Sequence, residues 1–232
     1  MGAGQRSRRP AAVLWDMDGL LVDSEPLWTI AEAEMAGELG RTWSDDIKAA
    51  CMGHRLDTAV PIMLSELGAP HGPDEIAWAE QFLLDRMVSL LGAGAPLLPG
   101  ALDLLDHLRA EEVPSALVSS SFRVLVDAVL VALGADRFAT TVAGDEVEHA
   151  KPAPDPYLAA ARQLGVDPAD CVALEDSLAG ATSAHAAGAG CIVVPGPHSG
   201  PVPGPWPRRA TLAGLRLSDV AAALPHPQGT AR

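Results

Sequence analysis

The protein is a chain of 232 residues with a formal net charge of −14 and 48% hydrophobic residues. This length and apolar content are enough to bury a complete core, either as one large domain or as a domain with an insertion. The acidic charge argues against nucleic acid and anionic membrane surfaces as partners, so a phosphate site would need its own local positive charge.

The cysteines and the first ten residues indicate the cellular compartment of the protein. Cys51, Cys171 and Cys191 are far apart in the sequence and lack the spacing of metal ligands. We therefore expect reduced thiols in the core of a cytoplasmic protein. Residues 1–10 contain three arginines with no long apolar segment behind them, which predicts a disordered tail on a soluble chain.

The first strand signal ends at a pair of carboxylates. Residues 11–15 form a short apolar run, which Asp16 and Asp18 follow one residue apart, with Gly19 directly behind them. Open α/β sheets bind ligands at this end of a strand, and two carboxylates there repel each other unless a cation offsets them. A polar turn without chemistry is the alternative that this segment alone leaves open.

The sequence between the first and second strand signals is helical in pattern. Apolar residues recur at helical spacing over 27–39, 59–67 and 76–91, and a glycine- and proline-containing stretch follows. We therefore predict an inserted helical cap over residues 26–95, and a core domain formed by 11–25 and 96–232.

From residue 100 onwards, strand and helix signals alternate. Apolar strands are predicted at 115–118, 137–143, 171–174 and 191–194, with amphipathic helices between them. This alternation predicts an α/β fold with a Rossmann-like parallel sheet that helices cover on both faces.

The end of the chain carries weaker signals. Residues 195–207 are rich in proline and glycine, which indicates an irregular surface loop, and we see no chemistry in it. Residues 210–212 are compatible with a short edge strand, and 215–224 with a last helix.

Four of the five predicted core strands are followed by polar groups that would share one sheet edge: Asp16, Asp18, Ser119, Lys151, Glu175 and Asp176. Taken singly, the serine cluster and the Glu175-Asp176 pair could cap the helices after them, and Lys151 could lie in a plain turn. Four such strand ends in succession favour a shared site.

These strand ends carry four sequence signatures, at residues 16–25, 118–121, 151–157 and 174–180. In this order, the chain resembles haloacid dehalogenase superfamily hydrolases with an α-helical cap, of the β-phosphoglucomutase-like phosphatase group. The resemblance spans residues 11 to about 224. Leu20 departs from the threonine usual in the family, at a position without a reacting group.

The resemblance implies a role for each side chain in phosphoryl transfer. Asp16 is similar to the nucleophile that forms an aspartyl-phosphate, and Asp18 to the general acid/base beside it. Lys151 would hold the nucleophile and the phosphate together, while Ser119 would donate a hydrogen bond to a phosphoryl oxygen and Ser120 would contact the substrate.

Phosphate and several carboxylates can share a site only with a cation, and Mg²⁺ is the hard, oxygen-binding ion suited to it. By resemblance, Asp16 and Asp176 would be carboxylate ligands, with the backbone carbonyl of Asp18. Glu175 would act as a ligand through water or as support for the others.

The predicted cap carries one candidate for substrate selection. Residues 53–57 contain a Gly-x-Arg pattern that resembles the specificity loop of sugar-phosphate phosphatases. Arg55 would reach the leaving group or the phosphate. An exposed arginine at a helix end is the alternative.

The leading hypothesis is a Mg²⁺-dependent phosphatase that acts on a small phosphomonoester such as a sugar or polyol phosphate. A phosphomutase of the β-phosphoglucomutase type is the close alternative, but Trp28 occupies the position at which mutases carry a histidine. A dehalogenase would lack Asp18, and a non-catalytic sugar-phosphate sensor would not need a nucleophile beside an acid/base. We expect a monomer or a weak homodimer.

Overall fold

The computed structural model of the protein describes residues 8–51 and 54–225. Within them, a parallel sheet has the strand order β3-β2-β1-β4-β5. Its strands are β1 (Ala12–Trp15), β2 (Ser115–Val118), β3 (Thr140–Val142), β4 (Cys171–Glu175) and β5 (Gly190–Val193). The predicted α/β fold with a parallel sheet is confirmed.

Helices surround this sheet, and four of them form a separate layer beyond the carboxyl ends of its strands. Between β1 and β2 lie α1 (Glu25–Glu38), α2 (Asp45–Cys51), α3 (Leu56–Glu66), α4 (Pro73–Gly94) and α5 (Ala101–Ala110). The later helices are α6 (Arg123–Leu133), α7 (Asp155–Leu164), α8 (Leu178–Ala186) and α9 (Leu217–Ala221). We call α1–α4 the cap helices.

The position of β1 at the centre of the sheet decides where the polar strand ends meet. All its residues are buried, as expected for a strand between two parallel neighbours with helices on both faces. Leu14 is in register with Ala116 of β2 and with Ala173 of β4. The carboxyl ends of β1, β2 and β4 therefore lie side by side.

The two connections between the cap helices and the sheet run next to each other. Val22 and Leu97 form an antiparallel bridge, and the Asp23 amide donates to the Pro96 carbonyl at 2.9 Å. Helix α4 packs against α1 and against α6, so the cap helices rest on the core beside the strand ends. The boundaries at residues 26 and 95 remain a prediction.

Several predicted elements differ from the structure. The strand predicted at 137–143 is shortened, because a 3₁₀ turn occupies Ala135–Arg137. The predicted edge strand at 210–212 is wrong: the edge of β5 is met by residues 207–209, where the Val193 amide donates to the Pro207 carbonyl at 2.8 Å. Helix α2 was not predicted, since only Ile47 and Cys51 mark its buried face.

Part of the predicted tail, residues 1–7, lies outside the described residues, as do Met52 and Gly53. Arg8 forms an ion pair with Asp170, and Pro10 is buried. The three cysteines are buried free thiols, as expected. In the described ranges, we find no helix with the length and apolarity to span a membrane.

Candidate active site

Asp16 follows β1 directly and is fixed from two sides. Its amide donates to the Leu174 carbonyl at 3.0 Å, which continues the pairing of β1 with β4. The Lys151 ammonium donates to Asp16 Oδ1 at 2.6 Å and to the Val118 carbonyl at 2.9 Å. One lysine therefore joins the ends of β1 and β2.

Glu175, the last residue of β4, lies beneath Asp16 and is fully buried. Its Oε1 accepts hydrogen bonds from Lys151 at 2.7 Å and from the Tyr157 hydroxyl, and its Oε2 accepts from Ser177 at 3.2 Å. A side chain at Gly180 would overlap this carboxylate, because its Cβ would lie 1.9 Å from Oε1. Glu175 is thus enclosed by hydrogen-bond donors and packing.

Asp18 is oriented by hydroxyl groups rather than by a cation. Ser24 donates to its Oδ1 at 2.6 Å, while Ser121 donates to Oδ2 at 2.8 Å and Ser119 at 3.3 Å. The Ser119 hydroxyl also accepts from the Ser121 amide at 2.9 Å, which fixes the start of the loop after β2. The two aspartates of the first motif therefore have different partners.

Asp176 is placed by the chain segment that follows β5. The Ser199 hydroxyl donates to Asp176 Oδ2 at 2.5 Å. Gly19 has a φ of 80° and lies so close that a Cβ would be 2.3 Å from the same oxygen, so only glycine fits there. Residues 195–207, in which we saw no chemistry, thus contribute Ser199, which bonds to a carboxylate of the site.

The three carboxylates of Asp16, Glu175 and Asp176 each place an oxygen within 4.8 Å of the others. Burial, with a further contribution from Glu175, raises the pKa of Asp16 well above its usual range and that of Asp176 to about 6. Burial also opposes the charge on Lys151, but the neighbouring carboxylates outweigh it and raise the pKa of that ammonium. Negative charge therefore exceeds positive charge in this cluster.

A cavity of about 400 Å³ separates these strand ends from the cap helices, and this volume is typical of a small-molecule site. The core side of the cavity is lined by Asp16, Asp18, Ser120, Lys151 and Asp176. The cap side is lined by Trp28, Glu32, Lys48 and Arg55, among others.

Known proteins similar to this chain show its family. A family model for haloacid dehalogenase-like hydrolases matches residues 10–188. The chain belongs to the haloacid dehalogenase-like hydrolase family. Hexitol phosphatase B of Escherichia coli is 34% identical over 92% of this chain and 94% of its own length. A probable pseudouridine-5'-phosphatase of Drosophila melanogaster is 35% identical over 82% of this chain and 84% of its own.

Solved structures of haloacid dehalogenase-like hydrolases share the fold. CbbY from Rhodobacter sphaeroides, whose structure holds phosphate, is 30% identical and superposes with a TM-score of 0.78. The match covers 88% of this chain and 96% of that one. A mutant of the same protein, in complex with xylulose-(1,5)bisphosphate, superposes with a TM-score of 0.77 at 29% identity and is matched over 89% of this chain and 96% of its own.

The donor set of this hydrolase fits a hard divalent cation. Carboxylate oxygens of Asp16 and Asp176 share the cavity edge, and a divalent cation there would offset the excess of negative charge. Both oxygens of Glu175 already accept hydrogen bonds, which favours the supporting role for that residue. The Asp18 carboxylate is turned to its serines, which leaves the backbone carbonyl for the predicted contact.

The predicted residues fall into two groups. Asp16, Asp18, Lys151, Asp176, Ser120 and Arg55 all line the cavity. Ser119 is almost fully buried and bonded to Asp18, so its predicted contact with a phosphoryl oxygen would share that hydroxyl. Its neighbours Ser120 and Ser121 face the cavity instead.

Five residues that orient site carboxylates were given no role from the sequence: Ser24, Ser121, Tyr157, Ser177 and Ser199. All of them except Ser199 lie inside the four signatures, so their positions in these motifs could have indicated a role. Ser199 carries no such signal, because only the tertiary fold brings the loop after β5 onto Asp176.

Proposed function

We propose that this hydrolase is a Mg²⁺-dependent phosphatase that hydrolyses a small phosphomonoester, a sugar or polyol phosphate, through an aspartyl-phosphate on Asp16. One observation carries the proposal: Asp16 and Asp18 line the same cavity but are held by separate partners. Lys151 bonds to Asp16, whereas three serines bond to Asp18. Two carboxylates with separate surroundings can take two different roles.

In the first step, an Asp16 carboxylate oxygen attacks phosphorus while the bond from phosphorus to the leaving oxygen breaks. Asp18 gives its proton to that oxygen, so the leaving group departs as a neutral alcohol. Lys151 keeps Asp16 in place and offsets negative charge on the phosphoryl group. The serines hold the Asp18 carboxyl in one orientation at the wall of the cavity.

In the second step, Asp18 takes a proton from a water molecule, whose oxygen attacks phosphorus. The bond between phosphorus and the Asp16 oxygen breaks, which regenerates the carboxylate and releases inorganic phosphate. The proton that Asp18 lost in the first step is thereby restored, and the enzyme is ready for another cycle.

Asp16, Asp176 and the Asp18 backbone carbonyl would hold the Mg²⁺ ion, with Glu175 beneath them as support. When bound, the ion supplies positive charge that lets a phosphate approach several carboxylates. Its presence would also keep Asp16 and Asp176 ionised, against the burial that raises their pKa.

The substrate class rests on the cavity and on the relatives. A volume of about 400 Å³ leaves room for more than a phosphate group, and Arg55 faces this space from the cap side. Hexitol phosphatase B and the probable pseudouridine-5'-phosphatase are named for polyhydroxylated monophosphates. Trp28, which lines the cavity where mutases carry a histidine, offers no acid or base and disfavours a phosphomutase.

Phosphate release from a panel of sugar phosphates, polyol phosphates, nucleotides and phosphoglycolate, with and without Mg²⁺, tests the proposal. We expect Mg²⁺-dependent release that is highest for a sugar or polyol monophosphate. Isomerised sugar phosphate without free phosphate would instead establish the mutase. Binding of these compounds without turnover would establish the sensor.

The cellular compartment, the partners and the oligomeric state of the protein are part of the proposal. A net charge of −14 argues against nucleic acid and anionic membranes as partners, so we propose a cytoplasmic enzyme whose partner is a small phosphorylated metabolite. Size-exclusion chromatography with light scattering tests the expected monomer or weak homodimer.

A further inference from the structure

Three charged residues of the cap helices form a cluster that the proposed mechanism does not use; Glu32 in it is buried, Lys48 is partly buried and Glu25 is more exposed. The Lys48 ammonium of α2 donates to both oxygens of Glu32 in α1, at 3.1 and 2.9 Å. The same ammonium lies 3.1 Å from Glu25 Oε2, at the start of α1. We call Glu25, Glu32 and Lys48 the cap ion cluster.

The cap ion cluster borders the cavity that holds the proposed nucleophile. All three residues line the cavity that Asp16 and Asp18 also line. The side chain of Glu32 is 5% exposed and that of Lys48 is 18% exposed, whereas that of Glu25 is 42% exposed. Burying such a pair is costly, and apolar residues could join α1 to α2 without that cost.

The hydrogen bonds of the cluster determine what it can bind. An ammonium group has three N–H donors, and Lys48 directs them at Glu25 and Glu32. A carboxylate has about four acceptor positions, so each glutamate keeps free lone pairs after binding Lys48. The cluster therefore offers acceptors, which suit the hydroxyl groups of a ligand.

The charges on the cap side of the cavity also favour hydroxyl groups as ligands. The two glutamates carry two negative charges and Lys48 and Arg55 carry two positive ones, so these four lining residues have no net charge, and Arg55 Nη2 also lies 3.6 Å from Asp57. A second phosphate group carries only acceptors and needs surplus positive charge, which this wall does not provide. Neutral hydroxyl groups meet no such penalty.

We propose that Glu32, with Glu25 beside it and Lys48 as the residue that positions both, binds hydroxyl groups of the leaving alcohol and selects polyol monophosphates against bisphosphates. This inference rests on the proposed phosphatase function. Glu32 and Glu25 are specificity residues in it, and Lys48 is a positioning residue.

The test compares three substrates in the full-length protein with Mg²⁺: a hexitol monophosphate, a hexitol bisphosphate and p-nitrophenyl phosphate, which has no hydroxyl groups beside the phosphate. The variant is Glu32→Leu with Lys48→Met, because replacing both members leaves no buried charge without its partner. We expect kcat/KM for the monophosphate to fall about 10- to 100-fold through lost hydrogen bonds. The loss should be at least about tenfold smaller for p-nitrophenyl phosphate.

The preference for monophosphate over bisphosphate should decrease in the same variant, since the carboxylate that accepts hydrogen bonds from the hydroxyl groups of the monophosphate is gone, while the loss of Lys48 with it leaves the net charge of this wall unchanged. The matched control is Glu34→Leu with Arg86→Met, which removes an exposed ion pair that also starts from α1. It should leave all three activities unchanged. An equal loss for all three substrates in the Glu32 variant would reduce the cluster to a structural role, and an unchanged kcat/KM for the monophosphate would overturn the proposal.

A binding measurement separates this proposal from the phosphatase function. Calorimetry of the hexitol monophosphate is run on Asp16→Asn protein, with and without the Glu32→Leu and Lys48→Met changes. Weaker binding after these changes supports the subsite even if the wild-type protein releases no phosphate. Equal binding overturns the subsite and leaves the phosphatase function untouched.

Discussion

The two walls of the cavity are built on different principles. On the core wall, Asp16, Asp18, Glu175 and Asp176 are each held by hydrogen bonds from other parts of the chain. On the cap wall, Glu32 and Lys48 bond to each other, but Arg55 is held only by a neighbour two positions away, and its Nε lacks a hydrogen-bond partner within the described residues. The core wall holds its carboxylates in fixed orientations, whereas the cap wall has a polar group that a ligand can still bind.

This difference assigns separate tasks to the two walls. Groups that attack or protonate phosphorus must be placed in advance, because small misplacements lower the rate strongly. Groups that select the leaving alcohol act through binding energy at a distance from the reacting bond. Substitutions on the core wall should therefore affect all substrates alike, and those on the cap wall should affect some substrates more than others.

The largest effect is expected for Asp16→Asn. The amide keeps the shape of the side chain but cannot attack phosphorus, so kcat should fall at least about 10⁴-fold for every substrate. Phosphate release and circular dichroism are measured together, with Asp74→Asn on the exposed start of α4 as the control. Activity within tenfold of wild type would exclude the aspartyl-phosphate mechanism.

Removal of the metal should affect the core wall almost as strongly. EDTA should lower activity by about 10³-fold and Mg²⁺ should restore it, whereas Ca²⁺ should inhibit because its flexible shell would misplace Asp16. Since the pKa of Asp176 is about 6 without metal, protons should compete with the ion, and the Mg²⁺ requirement should rise as the pH falls below that value. Full activity in chelator would contradict the metal site.

Asp18→Asn should lower kcat by about 10²- to 10⁴-fold whatever the leaving group, because the variant can no longer donate or accept the proton. The measurement is phosphate release from a polyol phosphate and from p-nitrophenyl phosphate side by side. Ser121→Ala, which keeps the carboxyl but removes one of its donors, should show a smaller loss of the same kind. A loss confined to p-nitrophenyl phosphate, whose leaving group needs proton donation least, would move Asp18 out of the mechanism.

A smaller effect tests whether the loop after β5 belongs to the core wall. Ser199→Ala removes the donor that orients Asp176, so the Mg²⁺ Kd from calorimetry should rise about 10- to 100-fold. Saturating Mg²⁺ should restore most of the kcat, and Ser199→Thr should retain the affinity. Ser65→Ala on an exposed turn of α3 serves as the control. An unchanged Kd would show that Asp176 needs no support from this loop.

The smallest expected effect is on the cap wall. Arg55→Ala should lower kcat/KM by about tenfold for a polyol phosphate and by less for p-nitrophenyl phosphate, which offers no further polar group to the arginine. Arg41→Ala, elsewhere among the cap helices, is the control. An equal loss for both substrates would assign Arg55 to the phosphate or to the fold.

The contrast between the walls also explains which parts of the site could be predicted from the sequence. The order of apolar runs predicts a parallel sheet, and a parallel sheet brings its strand ends to one edge without further information. Asp16, Asp18, Lys151 and Asp176 could therefore be placed in one site from their positions after strands. The structure brings all four to the same cavity.

Contacts that depend on tertiary packing could not be predicted in this way. Ser199 reaches Asp176 only because the loop after β5 folds back over Gly19, where a Cβ on Gly196 would lie 2.2 Å from the Gly19 carbonyl oxygen. Glu32 and Lys48 meet because α2, a helix too short to predict, lies against α1. Neither the spacing of residues nor the periodicity of apolar positions in the sequence indicates these contacts.

The long sequence separations within the site have a consequence for synthesis of the protein on the ribosome. Asp16 emerges early, but Lys151 follows it by 135 positions, and Ser199 follows Asp176 by a further 23. Domains fold from the N-terminus as they emerge, yet a nascent chain shorter than 199 residues lacks at least one of these groups. The site is therefore complete only after the loop that follows β5 has been translated.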